Sequence, residues 1–589
     1  MKNFLKYVLA TVTGIILVLV VVSILSVISL VGLAASSASS VEVKENSILT
    51  LSLKGIVEER AQENPLAMFS EQVEEMGLDE ILSAIKKAKD HENIKGIYIE
   101  DGIFSAGSPA NMHTIREALL DFKKSGKWIV AYSNNYTQGS YYICSVADKI
   151  WLNPSGVLDW HGLGGESYYL KDLLAKVGVR FQAVKVGKYK SAVEQLTSDH
   201  MSDYDREQTE TYINGIWKAM LRDVAKSRKI SVDSLNAYAD RMITFSAPAD
   251  YVKMKLVDKL MYTDEVKGEI KNMLKIDKKD KINQLSISEM SDVKSQKEDG
   301  EEVAVYYAYG DIIDEEVEGI VKRSHHIVGS TVCKDIEKLM DDDNVKAVVL
   351  RVNSPGGSAY ASEQIWNAVT KLKSKKPVVV SMGGYAASGG YYISCNANYI
   401  YAEPTTITGS IGIFGLFPDA SQLLTDKLGV KFDQVKTNKF SDFGAISRPF
   451  NADELALLDD YIGRGYELFR KRVADGRHQT TEQIEQVAQG HVWLGADALN
   501  IKLVDALGSL DDAVAKAAKL AKLDEYHTKA YPAAPNWFES LWEQASDKSY
   551  LDEEVKLILG EYYEPLMYIK ASRNMNPIQA RLPYIIHIK

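Results

Sequence analysis

The sequence predicts an α/β protein made of two tandem copies of one domain, placed after a single N-terminal transmembrane helix. Stretches in the first half recur in the second half at a constant offset of about 250 residues. In both halves, short β-branched apolar runs alternate with helical patterns, which is typical of a parallel sheet covered by helices. One long apolar run, residues 7–35, precedes both copies.

The apolar run "YVLATVTGIILVLVVVSILSVISLVGLAA" exceeds the roughly 20 residues that cross a bilayer. Lys2 and Lys6 precede it without an acidic residue, so the positive-inside bias predicts a short cytoplasmic stub and an extracytoplasmic body. The alternative is a secretory leader cleaved near "GLAASSASS". We expect residues 1–40 to form the stub and anchor, with residues 7–35 in the lipid bilayer.

The bulk composition argues against several classes of protein. The net charge of -11 disfavours a nucleic-acid partner, because phosphates need a basic face. The three cysteines (Cys144, Cys333 and Cys395) lack a CxxC spacing and are too few for a disulfide framework, so we expect buried, unreactive thiols. No HExxH motif occurs, and we expect neither a metal nor a cofactor.

The domain boundaries follow from where the repeat begins and ends. "NIKGIYIE" at 93–100 matches "NVKAVVLRV" at 344–352, and "DKIWLNP" at 148–154 matches "NYIYAEP" at 398–404. We therefore expect one repeat over 45–274 and the other over 303–525. The charged, polar stretch 275–302 is expected to be a linker.

Residues 526–589 form a C-terminal extension that has no counterpart in the first copy. Its segment "PNWFESLWEQ" places aromatic residues on one helical face, and both core packing and contact with a membrane surface remain open for it. The final "RLPYIIHIK" is a candidate strand.

The stretch "SMGGYAASGGYYIS" at 381–394 surrounds Ser388 with small residues between a strand and a helix. Such a turn lets a ligand approach the backbone closely, which suits an acyl-transfer nucleophile. The first copy has "AYSNNYTQGSYYIC", with Gln138 at the corresponding position. A tight packing turn is the alternative interpretation. Ala386 removes the GxSxG pattern, so this turn is not an α/β-hydrolase elbow.

A second motif strengthens the nucleophile hypothesis. "LRVNSPGGS" at 350–358 ends a predicted strand with Gly356 and Gly357, whose N–H groups are candidates for an oxyanion hole. The first copy has "IEDGIFSAGS", in which Ala106 replaces Gly356. The degenerate copy has therefore lost part of this motif as well as the serine.

A lysine in the first copy is the candidate base. "FQAVKVGKYKSAVEQ" at 181–195 aligns with "FDQVKTNKFSDFGAIS" at 432–447, which places Lys190 opposite Ser441. One copy thus keeps a lysine and the other keeps Ser388, as expected if one site takes a group from each. A lysine can act as a base only when burial lowers its pKa. A solvated surface lysine remains the alternative.

The motifs "RVNSPGGS", "SMGGYAASGGYYIS", "TTITGSIGIFG" and "GKYKSAVE" resemble the signal peptide peptidase A family, in its long, duplicated, membrane-anchored protease IV form. The resemblance implies two ClpP/crotonase-like domains and a Ser/Lys dyad. It makes Ser388 the nucleophile, Lys190 the general base and Ser410 the residue that orients the lysine. The oxyanion would be held by Gly356 or Gly357 with the N–H of Ser388, and Gly389 is a further candidate.

The same resemblance implies a serine endopeptidase that degrades signal peptides after signal peptidase has released them. It also implies a homotetramer on the periplasmic side of the bacterial cytoplasmic membrane. Crotonase-type acyl-CoA enzymes share the fold but lack this serine and lysine pair. An inactive membrane scaffold and a chaperone-like peptide binder remain the alternative functions.

Overall fold

The computed structural model describes residues 41–60, 75–294, 300–315, 325–533 and 578–581, together with the isolated positions 14 and 18. The expected anchor, apart from those two positions, and the amphipathic segment 535–544 lie outside these residues. Among the residues that are described, no helix combines the length and the apolar character needed to cross a membrane.

The N-terminal repeat is built on a seven-stranded parallel sheet in the order β2-β1-β3-β4-β5-β7, with β8 also paired to β1. The strands of this half are β1 Ser47–Glu58, β2 Glu75–Gly77, β3 Ile94–Ser105, β4 Trp128–Tyr136, β5 Lys149–Leu158, β6 Arg180–Lys185, β7 Lys259–Leu260 and β8 Asn283–Leu285. The helices are α1 Leu78–Asp90, α2 Pro109–Lys123, α3 Gln138–Cys144, α4 Lys171–Lys176, α5 Glu194–Thr197, α6 Asp203–Arg228, α7 Val232–Asp240, α8 Pro248–Lys253, α9 Thr263–Leu274 and α10 Ile287–Ser291.

The C-terminal repeat has the matching sheet, in the order β18-β16-β14-β12-β9-β20, with β15 paired to β14 and β19. Its strands, together with those that lie beside this sheet, are β9 Glu301–Tyr309, β10 Asp311–Ile313, β11 His326–Val328, β12 Val345–Ser354, β13 Gly356–Ser358, β14 Val378–Ala387, β15 Tyr399–Ala402, β16 Ile407–Gly409, β17 Phe414–Asp419, β18 Val492–Leu494, β19 Ala506–Leu507, β20 Tyr526–Tyr531 and β21 Ile578–Arg581. The helices are α11 Gly329–Asp341, α12 Ala359–Lys375, α13 Gly389–Ser394, α14 Ala452–Arg477, α15 Thr481–Val487, α16 Gly495–Asn500 and α17 Leu510–Leu520.

The central strands of the two copies correspond, which confirms the tandem α/β prediction, although the C-terminal sheet has eight strands and includes the antiparallel pair β16 and β18. The central strands β3 and β12 hold the matching runs, and both sheets are parallel around them. Strand β12 is buried on both faces along most of its length, and residues 347–350 form a run of apolar side chains, as in parallel sheets that are covered on both sides. The long helices α6 and α14 each have 26 residues and each end on a left-handed residue, Lys229 and His478.

The stretch expected to be a linker, 275–302, is instead largely part of the N-terminal repeat. Strand β8 pairs with β1, and helix α10 buries Ile287 and Met290. Its few apolar residues are spaced for one short strand and one short helix, and burying them stabilises both elements. The start of the C-terminal extension also joins a repeat, because β20 extends the C-terminal sheet beside β9.

A third sheet joins the two repeats in the order β11-β10-β13-β21-β17-β6. In it, β6 of the N-terminal repeat pairs antiparallel with β17 of the C-terminal repeat. A buried ion pair adds a second joint, with Arg351 Nε and Nη2 donating to the two Glu59 carboxylate oxygens at 2.9 and 3.2 Å. The pairing of β6 with β17 fixes the segment after β6, which contains Lys190, against the C-terminal repeat.

Candidate active site

Ser388 occupies the turn between β14 and α13, as the strand-to-helix prediction required. Its backbone has φ 54° and ψ -113°, a conformation that non-glycine residues rarely adopt and that is often found at active sites. The following glycines allow the turn to pack tightly. A Cβ atom on Gly389 would lie 2.7 Å from Ser362 Oγ, and one on Gly390 would lie 2.7 Å from the Ser354 carbonyl oxygen.

Lys190 reaches this turn from the other repeat. The Tyr189 N–H donates to the Gln489 carbonyl at 3.0 Å, which fixes the loop after β6 against the C-terminal repeat. Gly490 has a positive φ, and a Cβ atom there would lie 2.7 Å from Lys190 Cβ, so the close approach needs a glycine. The Lys190 side chain is fully buried.

The structure brings three of the residues named from the sequence together within one chain. Lys190 Nζ lies 2.8 Å from Ser388 Oγ, 3.0 Å from Ser410 Oγ and 3.1 Å from the Ser410 carbonyl oxygen. A neutral amine has two N–H donors and one lone pair. The two N–H groups match the two Ser410 oxygens, and the lone pair is then left for the Ser388 hydroxyl.

Burial lowers the pKa of Lys190 well below its ordinary value of 10.5. The physical cause is desolvation, which disfavours the charged ammonium form. An amine that gives up its proton more readily can accept one from a neighbouring hydroxyl. This electrostatic setting is the one that a lysine base requires.

Two of the N–H groups named for the oxyanion hole, those of Ser388 and Gly356, bond elsewhere in the structure. The expected use of the Ser388 N–H is wrong, because the positive φ of Ser388 directs this group to the Gly409 carbonyl at 2.8 Å. The Gly356 N–H donates to Ser354 Oγ at 3.1 Å. Gly389 is the first residue of α13, so its N–H has no acceptor within the helix. Gly357 and Gly389 therefore remain the candidate donors.

Gly356 has a steric role instead. Its φ is 105°, and a Cβ atom there would lie 2.9 Å from the Gly389 nitrogen and 2.2 Å from the Ala580 carbonyl oxygen. A side chain at this position would block an extended strand from lying beside β13. Sequence reasoning missed the bond that Ser354 makes with the Gly356 N–H, although Ser354 stands inside the quoted "NSPGG" motif.

The corresponding site in the first copy is filled by its own side chains. Gln138 Oε1 accepts from the His161 and Gly162 N–H groups at 3.1 and 2.9 Å, and its amide donates to the Gly162 carbonyl. Trp160, the counterpart of Ser410, is fully buried against Tyr141. In the described structure, the first copy thus has Gln138 and Trp160 at the positions that correspond to Ser388 and Ser410 of the second copy.

Comparison with known proteins identifies the family. A model of peptidase family S49 matches residues 121–277 and 370–524, and a Clp protease model matches residues 299–406. The chain is 39% identical to "Protease 4" of Salmonella typhi over 501 residues, 83% of this chain and 80% of that protein. It is 36% identical to "Protease 4" of Haemophilus influenzae over 475 residues, 78% of this chain and 75% of that protein. It is also similar to "Serine protease SPPA, chloroplastic" of Arabidopsis thaliana, at 29% identity over 490 residues, 82% of this chain and 70% of that protein.

These matches and the two tandem ClpP-like α/β domains define a serine-type protease. The chain belongs to peptidase family S49, and within it to the long proteases of the signal peptide peptidase A type.

Proposed function

We propose that this protease is a membrane-anchored endopeptidase in which Ser388 is the nucleophile and Lys190 the general base. The observation that carries the proposal is the 2.8 Å separation of Lys190 Nζ from Ser388 Oγ, with both side chains fully buried. Burial lowers the pKa of Lys190, so its amine is able to take the serine proton.

The proposed reaction has two halves. In the first, Ser388 Oγ attacks the substrate carbonyl while its proton passes to Lys190, and the developing oxyanion is stabilised by the Gly357 and Gly389 N–H groups. Lys190 then donates this proton to the leaving nitrogen. In the second half, water attacks the acyl-enzyme with the lysine again acting as base, and the Ser388 hydroxyl is restored.

Ser410→Ala is expected to reduce kcat by roughly 10–1000-fold and to change KM little, because the hydroxyl positions the amine and not the peptide. Steady-state kinetics on one fluorogenic peptide measure both constants. Ser410 has a φ of 50°, so Ser410→Gly is the matched control, since it lacks the hydroxyl without straining the backbone. Unchanged kinetics in both variants would make Ser410 a structural residue only.

The proposed substrates are signal peptides left in the membrane after signal peptidase has released the mature protein. The motif resemblance to signal peptide peptidase A supports this substrate class. The site also supports it, because β13 and β17 both pair with β21, the strand that lies between them. A peptide bound through the same main-chain pairing would have to be extended and unfolded. The expected anchor would place the site on the periplasmic side of the bacterial cytoplasmic membrane, beside such peptides.

The substrate class is tested with one peptide in two forms. The purified full chain in detergent is expected to cleave a free synthetic signal peptide and to leave the same segment intact when it is still joined to a folded mature domain. Ser388→Ala is the control for contaminating proteases. Cleavage of both forms at equal rates would contradict a preference for released signal peptides.

We also propose a homotetramer, as the family resemblance implies. Three apolar side chains on one surface segment support an association surface: Val435 is 99% exposed, Ile446 67% and Leu428 64%. An exposed segment that carries several large apolar side chains is a candidate association surface. The native mass of the full chain in detergent decides between a tetramer and a single copy.

A further inference from the structure

Gln208, on helix α6, is a fully buried polar residue bonded to the loop that carries Lys190. Its amide nitrogen donates to the Tyr189 carbonyl oxygen and to Ser191 Oγ, each at 3.1 Å. Tyr189 and Ser191 are the two neighbours of Lys190 in the chain. One side chain outside the dyad therefore holds the chain on both sides of the proposed base.

The oxygen of the same amide bonds to the C-terminal repeat. The Val492 N–H, at the start of β18, donates to Gln208 Oε1 at 3.2 Å. Strand β18 pairs antiparallel with β16, where Val492 lies opposite Gly409. The neighbouring His491 carbonyl accepts from the Ser410 N–H at 2.7 Å, and Ser410 in turn contacts the amine of the proposed base. Gln208 thus connects the loop of the base with the strand that holds the orienting serine.

A buried carboxylate fixes the orientation of this amide. Gln208 Nε2 lies 3.0 Å from Asp205 Oδ1, which also accepts from Ser191 Oγ at 2.5 Å. Asp205 and Ser191 are both buried. Turning the amide over would place its oxygen against acceptors and its NH₂ group against the Val492 N–H, and unsatisfied buried groups are costly. Glutamine suits this place because one end of its amide donates and the other accepts.

We propose that Gln208 is a positioning residue for the Ser/Lys dyad, an inference that rests on the proposed function. Its bonds on both sides of Lys190 keep the amine 2.8 Å from Ser388 Oγ and out of contact with water. Without them, the loop is free to move away from β18. The amine would then lie at a poor distance for proton transfer, and the water that reaches it would favour its charged form.

Gln208→Met tests the role, because methionine has a similar length and neither donates nor accepts as the amide does. We expect kcat on a fluorogenic peptide to fall by about 10–100-fold and KM to change by less than about threefold. The rising limb of the kcat/KM profile is expected to move to higher pH, since a hydrated Lys190 keeps its proton longer. Ser191→Ala removes only one of the two bonds beside Lys190, so we expect smaller changes in the same directions.

Tyr251→Phe is the matched control for the loss of a buried hydrogen bond in the same repeat. The Tyr251 side chain is fully buried, and its hydroxyl donates to the Ile243 and Thr244 carbonyl oxygens at 3.1 and 3.0 Å. This variant is expected to lose stability and to keep the kcat and the pH profile of the wild-type chain. Chemical denaturation of all three variants measures the stability that each change removes.

The other outcomes contradict the inference in distinguishable ways. A Gln208→Met chain that is less stable but keeps the wild-type kcat and pH profile would reduce Gln208 to a folding role and leave the proposed function standing. A change in KM alone would assign it to peptide binding. If Gln208→Met does not fold, unchanged kcat and pH profile in Ser191→Ala would refute the positioning role. Hydrolysis by Lys190→Met at the wild-type rate would overturn the proposed function together with the inference.

Discussion

Ser388→Ala is expected to lower peptide hydrolysis by roughly 10⁴-fold or more, because alanine has no atom that can attack a carbonyl. The side chain is fully buried, and its Oγ lies 2.8 Å from Lys190 Nζ. Losing one small hydroxyl leaves the packing of the turn unchanged. A fluorophosphonate probe that labels the wild-type chain is expected to leave this variant unlabelled, and kcat/KM on a fluorogenic peptide gives the size of the loss.

Two matched variants separate chemistry from folding. Ser388 has a φ of 54°, where alanine carries backbone strain and glycine does not, so Ser388→Gly is expected to be equally inactive but unstrained. Ser441→Ala removes an exposed serine hydroxyl from the same repeat and is expected to keep full activity. Activity near the wild-type value in both Ser388 variants would remove this serine from the mechanism.

The repeats were predictable because their signals are local. Each central strand is a short run rich in β-branched residues, and a helical pattern follows it. Both patterns can be recognised within one short stretch of sequence. The pairing of Lys190 with Ser388 could also be predicted, since each copy lacks what the other keeps. The structure shows what replaces the serine in the first copy, where the Gln138 side chain accepts from the backbone N–H groups of His161 and Gly162.

The parts that sequence reasoning missed depend on contacts between distant segments. Strand β8 has three residues and β21 has four, too few for a periodic pattern, and each is stabilised by strands far away in the chain. The direction of the Ser388 N–H depends on one backbone angle, which no residue type determines alone. The direction of the Gly356 N–H could not be predicted either. Its partner Ser354 is part of the quoted motif, but the motif does not give the backbone geometry that brings the two groups together.

Lys190→Met is expected to abolish hydrolysis and at the same time to stabilise the fold. The loss of activity follows because a thioether cannot accept the Ser388 proton. The gain follows because methionine has a similar length and, unlike Lys190, has no proton to lose when it becomes fully buried. We expect the free energy of unfolding to rise by about 1–2 kcal/mol at neutral pH. Chemical denaturation of both proteins measures this difference.

The pH dependence of that difference follows from the lowered pKa of Lys190. Between the folded-state pKa and the unfolded value of 10.5, the unfolded chain binds a proton that the folded chain does not. The stability cost of Lys190 is therefore complete below the folded-state pKa, declines as the pH rises, and disappears above 10.5. Activity should change over the lower end of the same window, rising with pH as Lys190 loses its proton.

Lys188→Met is the matched control, because Lys188 is exposed on the same loop and its Nζ lies over the rings of Tyr189 and Tyr204. This variant is expected to keep its activity and to show no pH-dependent gain in stability. Comparing the two variants at neutral pH and near pH 11 isolates the buried charge, because only Lys190→Met should lose its advantage at the higher pH. A stability gain for Lys190→Met that stays constant across this range would show that improved packing, and not the release of a proton on folding, is its cause.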